Sequence, residues 1–202
     1  MARAIVIAAP TSTSGKTVVT LGLIRALRRQ GLRVASAKVG PDYIDPAFHA
    51  AASRRACLNL DPWAMRRETL AATLSLLEEG AELIICEGVM GLFDGIGAEG
   101  SGSTADLAAI TGWPVVMVLD VGGQSSTAAA VLAGLARHRA DVRLAGAILN
   151  RVGSDTHAAT IMEAIRRTLP DVAMLGSIRR SSSLARPERH LGLVQAREQT
   201  DR

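Results

Sequence analysis

An apolar run, Ala4-Ile5-Val6-Ile7-Ala8-Ala9, passes straight into Pro10-Thr11-Ser12-Thr13-Ser14-Gly15-Lys16-Thr17. The run reads as a short buried strand. Beyond it Val18, Leu21, Ile24 and Leu27 recur at helical spacing. Strand, tight loop, Gly-Lys-Thr and helix in immediate succession are the context that a phosphate-binding loop requires. Backbone N–H groups at the start of such a helix point outward with partial positive charge and attract phosphate. In this reading Thr11, Ser12, Thr13, Ser14, Gly15, Lys16, Thr17 and Val18 line a nucleotide. Lys16 reaches the β/γ-phosphates, and the Thr17 hydroxyl sits on Mg²⁺. A lysine in the first helical turn opposes the helix dipole unless an anion is present, which favours phosphate binding over an incidental turn. One position departs from the pattern G-x-x-x-x-G-K-[ST]: Pro10 stands at the first glycine. Proline has no N–H and a fixed φ, so the first turn must be made differently.

Such a loop needs a sheet around it, and 202 residues that are 48% hydrophobic can bury one core. Aromatic residues are limited to Phe48, Phe93, Trp63, Trp113 and Tyr43, so the core must be built from Val, Leu, Ile and Ala. That suits a parallel sheet covered by helices. The formal charge of +4 comes largely from scattered arginines, without a long basic block interleaved with aromatics. Nucleic-acid binding is therefore not expected, whereas a mild positive field suits a nucleotide or a polycarboxylate. Cys57 and Cys86 lack metal-ligand spacing, and the four histidines form no ligand cluster. Only His49, beside an acidic loop, is placed near a site. Met1-Ala2-Arg3 leads directly into the first strand, and no long apolar span follows. The expectation is a cytoplasmic protein without membrane contact.

Taken in order, the chain alternates strand and helix. A helix over about 16–30 closes at Gly31, and 32–37 reads as the second strand. The polar segment Lys38-Val39-Gly40-Pro41-Asp42-Tyr43-Ile44-Asp45-Pro46 follows at a carboxyl end, where open α/β sheets bind ligands. Asp42 and Asp45 could face one site, or serve solvation and an N-cap at Asp45 with Pro46 at N1. Residues 48–63 read as irregular, and 65–77 as a helix. Strand 82–87 ends in Glu87, where an NTPase places a Mg²⁺-side carboxylate; a surface Glu is the plainer alternative. Glycines at 88, 91, 95 and 97 suggest close approach of a ligand. A helix ending at Ile110, strand 115–120, a helix to about 137, strand 144–150, a helix over 156–169 and strand 172–175 complete the pattern. Asn150, at a strand end, could pair with adenine or simply make a turn. The fold class expected is α/β, a doubly wound and mostly parallel sheet of P-loop NTPase type. Residues 1–180 form the domain, and 181–202 read as a linker.

Three segments are more specific: Lys38 to Pro46, Asn59-Leu60-Asp61, and Glu87-Gly88-Val89-Met90-Gly91-Leu92-Phe93-Asp94-Gly95. With them the chain resembles the cobyrinic acid and hydrogenobyrinic acid a,c-diamide synthases over essentially its whole length. The resemblance extends to Arg189-His190-Leu191-Gly192-Leu193, which in that family adjoins a C-terminal glutamine amidotransferase domain. Related synthetases such as dethiobiotin synthetase share the nucleotide half but lack the Gly40-Pro41-Asp42-Tyr43-Ile44-Asp45 and Glu87-Gly88-Val89-Met90-Gly91 segments. The resemblance implies ATP-dependent amidation of two acetate side chains of a corrin-type ring through acyl phosphates. ATP and Mg²⁺ are the implied cofactors, and ammonia comes from a glutaminase domain. It also implies that Thr17, Asp45 and Glu87 are metal-side ligands and that Lys16 acts on phosphate. Asp42, Tyr43 and Asp94 then orient substrate or the acyl-phosphate step, and Asn150 contacts adenine. Two departures stand out. Thr13 replaces the inner glycine of the family's loop, and neither cysteine lies in a glutaminase motif, so use of free ammonia is the expectation. An ATP-switched partitioning or scaffold protein, a sirohydrochlorin-type a,c-diamide synthase and a nucleotide binder without turnover are the alternatives; a homodimer is compatible with each.

Overall fold

The computed structural model describes residues 2–181. The linker expected over 181–202 and the 189–193 motif therefore fall, all but Ser181, outside the described residues. Seven strands alternate with six helices: β1 (Arg3–Ala8), α1 (Lys16–Arg29), β2 (Val34–Val39), α2 (Asp45–Ser53), β3 (Cys57–Leu60), α3 (Arg67–Glu78), β4 (Leu83–Glu87), α4 (Thr104–Thr111), β5 (Val115–Asp120), α5 (Thr127–His138), β6 (Leu144–Val152), α6 (Asp155–Thr168) and β7 (Ala173–Arg179). The strands form one sheet in the order β3-β2-β4-β1-β5-β6-β7, and every pairing is parallel.

β1 lies near the middle because its residues are apolar on both sides, the pattern of a strand covered on both faces. Ile7 and Ala9 face a layer made with Val19 and Ile24 of α1 and Ala52 of α2. Val6 and Ala8 face the opposite layer, which includes Leu70 and Leu77 of α3, Leu107 of α4, Leu132 of α5 and Ile161 of α6. Helices on both faces make the sheet doubly wound, as the alternation implies.

Three local differences from the sequence reading have physical causes. The buried stripe of α1 is Val19, Thr20 and Ile24, not Val18 and Leu21. Ile24 belongs to both sets, while Val18, Leu21 and Leu27 are half-buried. β2 begins at Val34 and runs to Val39, so Lys38 is a fully buried strand residue and not part of a loop. Residues 48–63 are not irregular. They hold the end of α2 and all of β3. α2 is capped from outside its own span: Asp42 Oδ1 accepts the backbone N–H groups of Ile44 (2.8 Å) and Asp45 (3.0 Å). The cap expected at Asp45 is thus made by Asp42, with Pro46 in the first turn as expected.

Candidate nucleotide and carboxylate site

The carboxyl ends of β1, β2 and β4 are adjacent in the sheet, and each delivers one part of the site. From β1 comes the loop 10–15. Gly15 has φ +88°, and a Cβ there would stand 2.2 Å from Asn150 Nδ2. Only glycine fits that contact and that backbone. Thr13 also has a positive φ, 60°, which is strained for a β-branched residue. Within the loop Ser14 Oγ donates to the Thr11 carbonyl at 2.9 Å. Asn150 Nδ2 donates to the Ser14 carbonyl at 2.9 Å. The amide of Asn150 therefore holds the loop's backbone, a role that its position at a strand end does not announce.

Lys16 is 7% exposed, and its ammonium donates to the carbonyls of Met90 and Thr11. Burial lowers its pKa, against the pull of Glu87 and other acids nearby. Thr17 Oγ1 lies 2.6 Å from Glu87 Oε1 and 3.4 Å from Asp45 Oδ2. Register fixes the remaining geometry: Glu87 is level with Ile7 on one side and with Lys38 on the other. Lys38 Nζ donates to Asp45 Oδ2 at 2.8 Å, Glu87 Oε1 at 3.0 Å and the Gly88 carbonyl at 3.2 Å. Glu87 Oε2 pairs with His49 Nε2 at 2.7 Å, and His49 is fully buried. Burial alone would raise the Glu87 pKa. The His49 hydrogen bond, the Lys38 charge and the Thr17 hydroxyl outweigh it and hold the carboxyl at about 2. Burial is also opposed at Lys38, where Glu87 and Asp45 raise the ammonium's pKa.

The structure thus brings together Lys16, Thr17, Asp45 and Glu87, with His49 behind them. Asp42 stands at the rim, its Oδ2 3.8 Å from Lys38 Nζ, with Asn59 Nδ2 donating to its carbonyl at 2.6 Å. Tyr43 is 84% exposed beside it. Asp94 turns back to accept the Gly91 N–H at 2.8 Å and reaches Lys16 only electrostatically. Thr11, Ser12 and Thr13 are exposed, and Val18 is half-buried. Lys38 is the member that the sequence reading missed, because it sits inside an apolar strand, separated by Val39 from Gly40-Pro41-Asp42. Gly88, Gly91 and Gly95 serve the protein's own packing, whereas Gly97 faces open space with φ +69°. A Cβ on Gly91 would meet the Pro10 carbonyl at 2.5 Å and Asp94 Oδ2 at 2.6 Å. Close approach is real there, but its partner is the loop wall.

The hydroxyl of Thr17 and two carboxylates form an oxygen-only set. Among the described residues no group of three or more His, Cys, Asp and Glu could hold a metal by itself. Such a set matches Mg²⁺, which binds through one or two carboxylates together with phosphate oxygens. Elsewhere, a groove of about 450 Å³ is lined by Pro62, Trp63, Gly102, Ile110 and Arg139. The Arg139 guanidinium there is committed to Asp106 and Asp141.

Comparison with known proteins gives the family and the fold. Residues 5–194 match the CobQ/CobB/MinD/ParA nucleotide binding domain family. The chain belongs to that family. It is 55% identical over 196 residues to a hydrogenobyrinate a,c-diamide synthase of Rhizobium meliloti (strain 1021), covering 96% of this chain and 44% of that protein. A protein of the same name from Rhodobacter capsulatus is 55% identical over 200 residues, covering 98% of this chain and 45% of its own length. The expected resemblance holds, and the chain spans less than half the length of these curated relatives. Solved structures share the fold. Chloroplast FtsY from Physcomitrella patens is 14% identical with a TM-score of 0.60, over 86% of this chain and 57% of that one. The septum site-determining protein MinD from Pyrococcus horikoshii OT3, complexed with Mg-ADP, is 18% identical with a TM-score of 0.56, over 90% and 82%. Among the described residues no helix is long and apolar enough to cross a membrane.

Proposed function

We propose that this chain is the ATP-dependent, amide-forming part of a hydrogenobyrinate a,c-diamide synthase. The reading rests on one observation above all: Thr17 Oγ1 lies within reach of both the Asp45 and Glu87 carboxylates at the mouth of the phosphate-binding loop. High identity to synthases of that name supports the choice of substrate.

In this reading Lys16 lets go of the two carbonyls and takes the β/γ-phosphates of ATP. Thr17, Asp45 and Glu87 would hold Mg²⁺, whose charge would offset that of the triphosphate where an acetate carboxylate has to approach. The chain's own residues position and screen, which is what phosphoryl transfer chiefly needs. Asp42 and Tyr43, at the exposed rim, receive the corrin-type polycarboxylate. The substrate carboxylate attacks the γ-phosphorus, ADP leaves, and the resulting acyl phosphate is opened by ammonia with loss of phosphate. Asp94 orients this step from beside Lys16. Asn150 serves by fixing the Ser14 carbonyl, and an adenine contact would fall to its remaining amide oxygen.

Neither cysteine is suited to releasing ammonia from glutamine. Burial pushes the Cys57 thiol up to about 12 and raises that of Cys86 further, so neither is a thiolate at neutral pH. We assign glutamine hydrolysis to a separate domain, with residues 181–202 as the linker toward it. The test is ADP and phosphate release by the 202-residue chain with hydrogenobyrinic acid, comparing ammonium with glutamine. Product with ammonium and none with glutamine is expected, and Lys16→Met should abolish it. ATP turnover that ignores the tetrapyrrole, or product from sirohydrochlorin instead, would overturn the assignment.

A further inference from the structure

Lys38 carries a second conclusion. Its ammonium and the Thr17 hydroxyl converge on the same two oxygens, Asp45 Oδ2 and Glu87 Oε1. Lys38 is only 3% exposed, and Glu87 is fully buried. The Asp45 side chain is 17% exposed, so one carboxylate of the pair is buried and the other faces the crevice, and a cation between them offsets their mutual repulsion. We propose that Lys38 is a resident counter-ion that holds the divalent-cation site until the metal arrives and is then driven outward toward Asp42.

This inference builds on the reading of Thr17, Asp45 and Glu87 as the Mg²⁺-side ligands. A divalent ion held by those groups draws on the lone pairs that Lys38 now uses. Its charge repels an ammonium lying at hydrogen-bond distance from the same oxygens. The long, flexible lysine stem lets the head group move while the strand stays fixed. The next carboxylate along that path is Asp42, whose Oδ2 is 3.8 Å away and whose side chain is 26% exposed against 4% for Lys38. The move carries a positive charge from the buried floor to the rim, beside Tyr43, where an acid substrate would meet it. Metal loading would thereby prepare the site for a carboxylate. Thr17 cannot do this, because its hydroxyl is neutral.

The experiment titrates Mn²⁺, without nucleotide, into the 202-residue chain and into Lys38→Met, reading free Mn²⁺ by electron paramagnetic resonance. Removing the competing charge should tighten Mn²⁺ binding by about tenfold or more. A role confined to stabilising the fold would not tighten it. Equal or weaker binding by the variant, including no binding by either protein, overturns the proposal. Should Lys38→Met fail to fold, the ¹⁵N-lysine ammonium signal of the unaltered protein decides. It should shift and exchange faster with water on addition of Mg²⁺ and ADP, and a signal unchanged at saturation sinks the idea. Calorimetric ATP binding is measured separately. Its absence would defeat the nucleotide reading while the Mn²⁺ comparison still reports on Lys38.

Discussion

At the scale of single residues, the loop is built with a strained member. Thr13 holds φ 60°, a backbone region that costs a β-branched residue roughly 1–2 kcal/mol. Thr13→Gly should therefore stabilise the chain by about 1 kcal/mol, after glycine's own entropy cost is subtracted. Urea denaturation reads this, and an unchanged or lower stability would show that the Thr13 side chain makes up for its backbone. Glu87 yields a prediction about acid. Its carboxyl is held at about 2 in the folded chain against an ordinary 4.5. A depressed carboxyl stabilises fully above its unfolded value, and that contribution fades as pH falls from 4.5 toward 2. Glu87→Gln should be less stable by about 3 kcal/mol near neutrality. The gap should narrow as denaturation is repeated at stepped pH below 4.5. A gap that stays constant into that range would contradict the pairing with His49, Lys38 and Thr17.

At the scale of elements, β6 supports a loop that belongs to β1. The Asn150 amide donates to Ser14 and abuts Gly15, so the end of one strand fixes the phosphate-binding loop beyond another. Asn150→Asp replaces that donor with an acceptor facing a carbonyl. The change should cost about 2–3 kcal/mol and weaken ATP binding, whereas Asn150→Ala should be milder. Calorimetry and urea melts would settle this, and an Asp variant as stable as the parent would refute it. Elements with strong periodicity or motif context were legible before any coordinates: β1, α1, β4, β5 and α6 stand close to where their residues put them. α2 and β3 were not. β3 is four residues long, too short to show a period, and the cap of α2 lies three residues upstream of its first turn. Thr17, Asp45 and Glu87 could be singled out because each lies within a recognisable segment, and the family resemblance implied a role for them. Lys38 could not, since an apolar strand disguises it and only the register with Glu87 reveals its partners.

Across the whole molecule, the charged machinery is confined to the β2, β4 and β1 portion of the sheet. From the β5, β6 and β7 portion Asn150 reaches the loop, while Asp120 pairs with Arg151 and Asp155 with Arg179. That division follows from strand order: β2, β4 and β1 stand side by side, so groups from sequence positions 16, 38 and 87 share one crevice. Sequence alone conveys the winding but not this adjacency. The Lys16 ammonium rests on the carbonyl of Met90, itself in a left-handed conformation with φ 46°. One side chain thereby latches two neighbouring walls together, and an arriving phosphate must undo the latch. Filling the crevice should consequently loosen part of its own border. Backbone amides around residues 89–92 should trade hydrogen for deuterium faster with a non-hydrolysable ATP analogue than without it, the reverse of the protection ligands usually bring. Slower or equal exchange there would mean that the latch stays shut while the guest is in place.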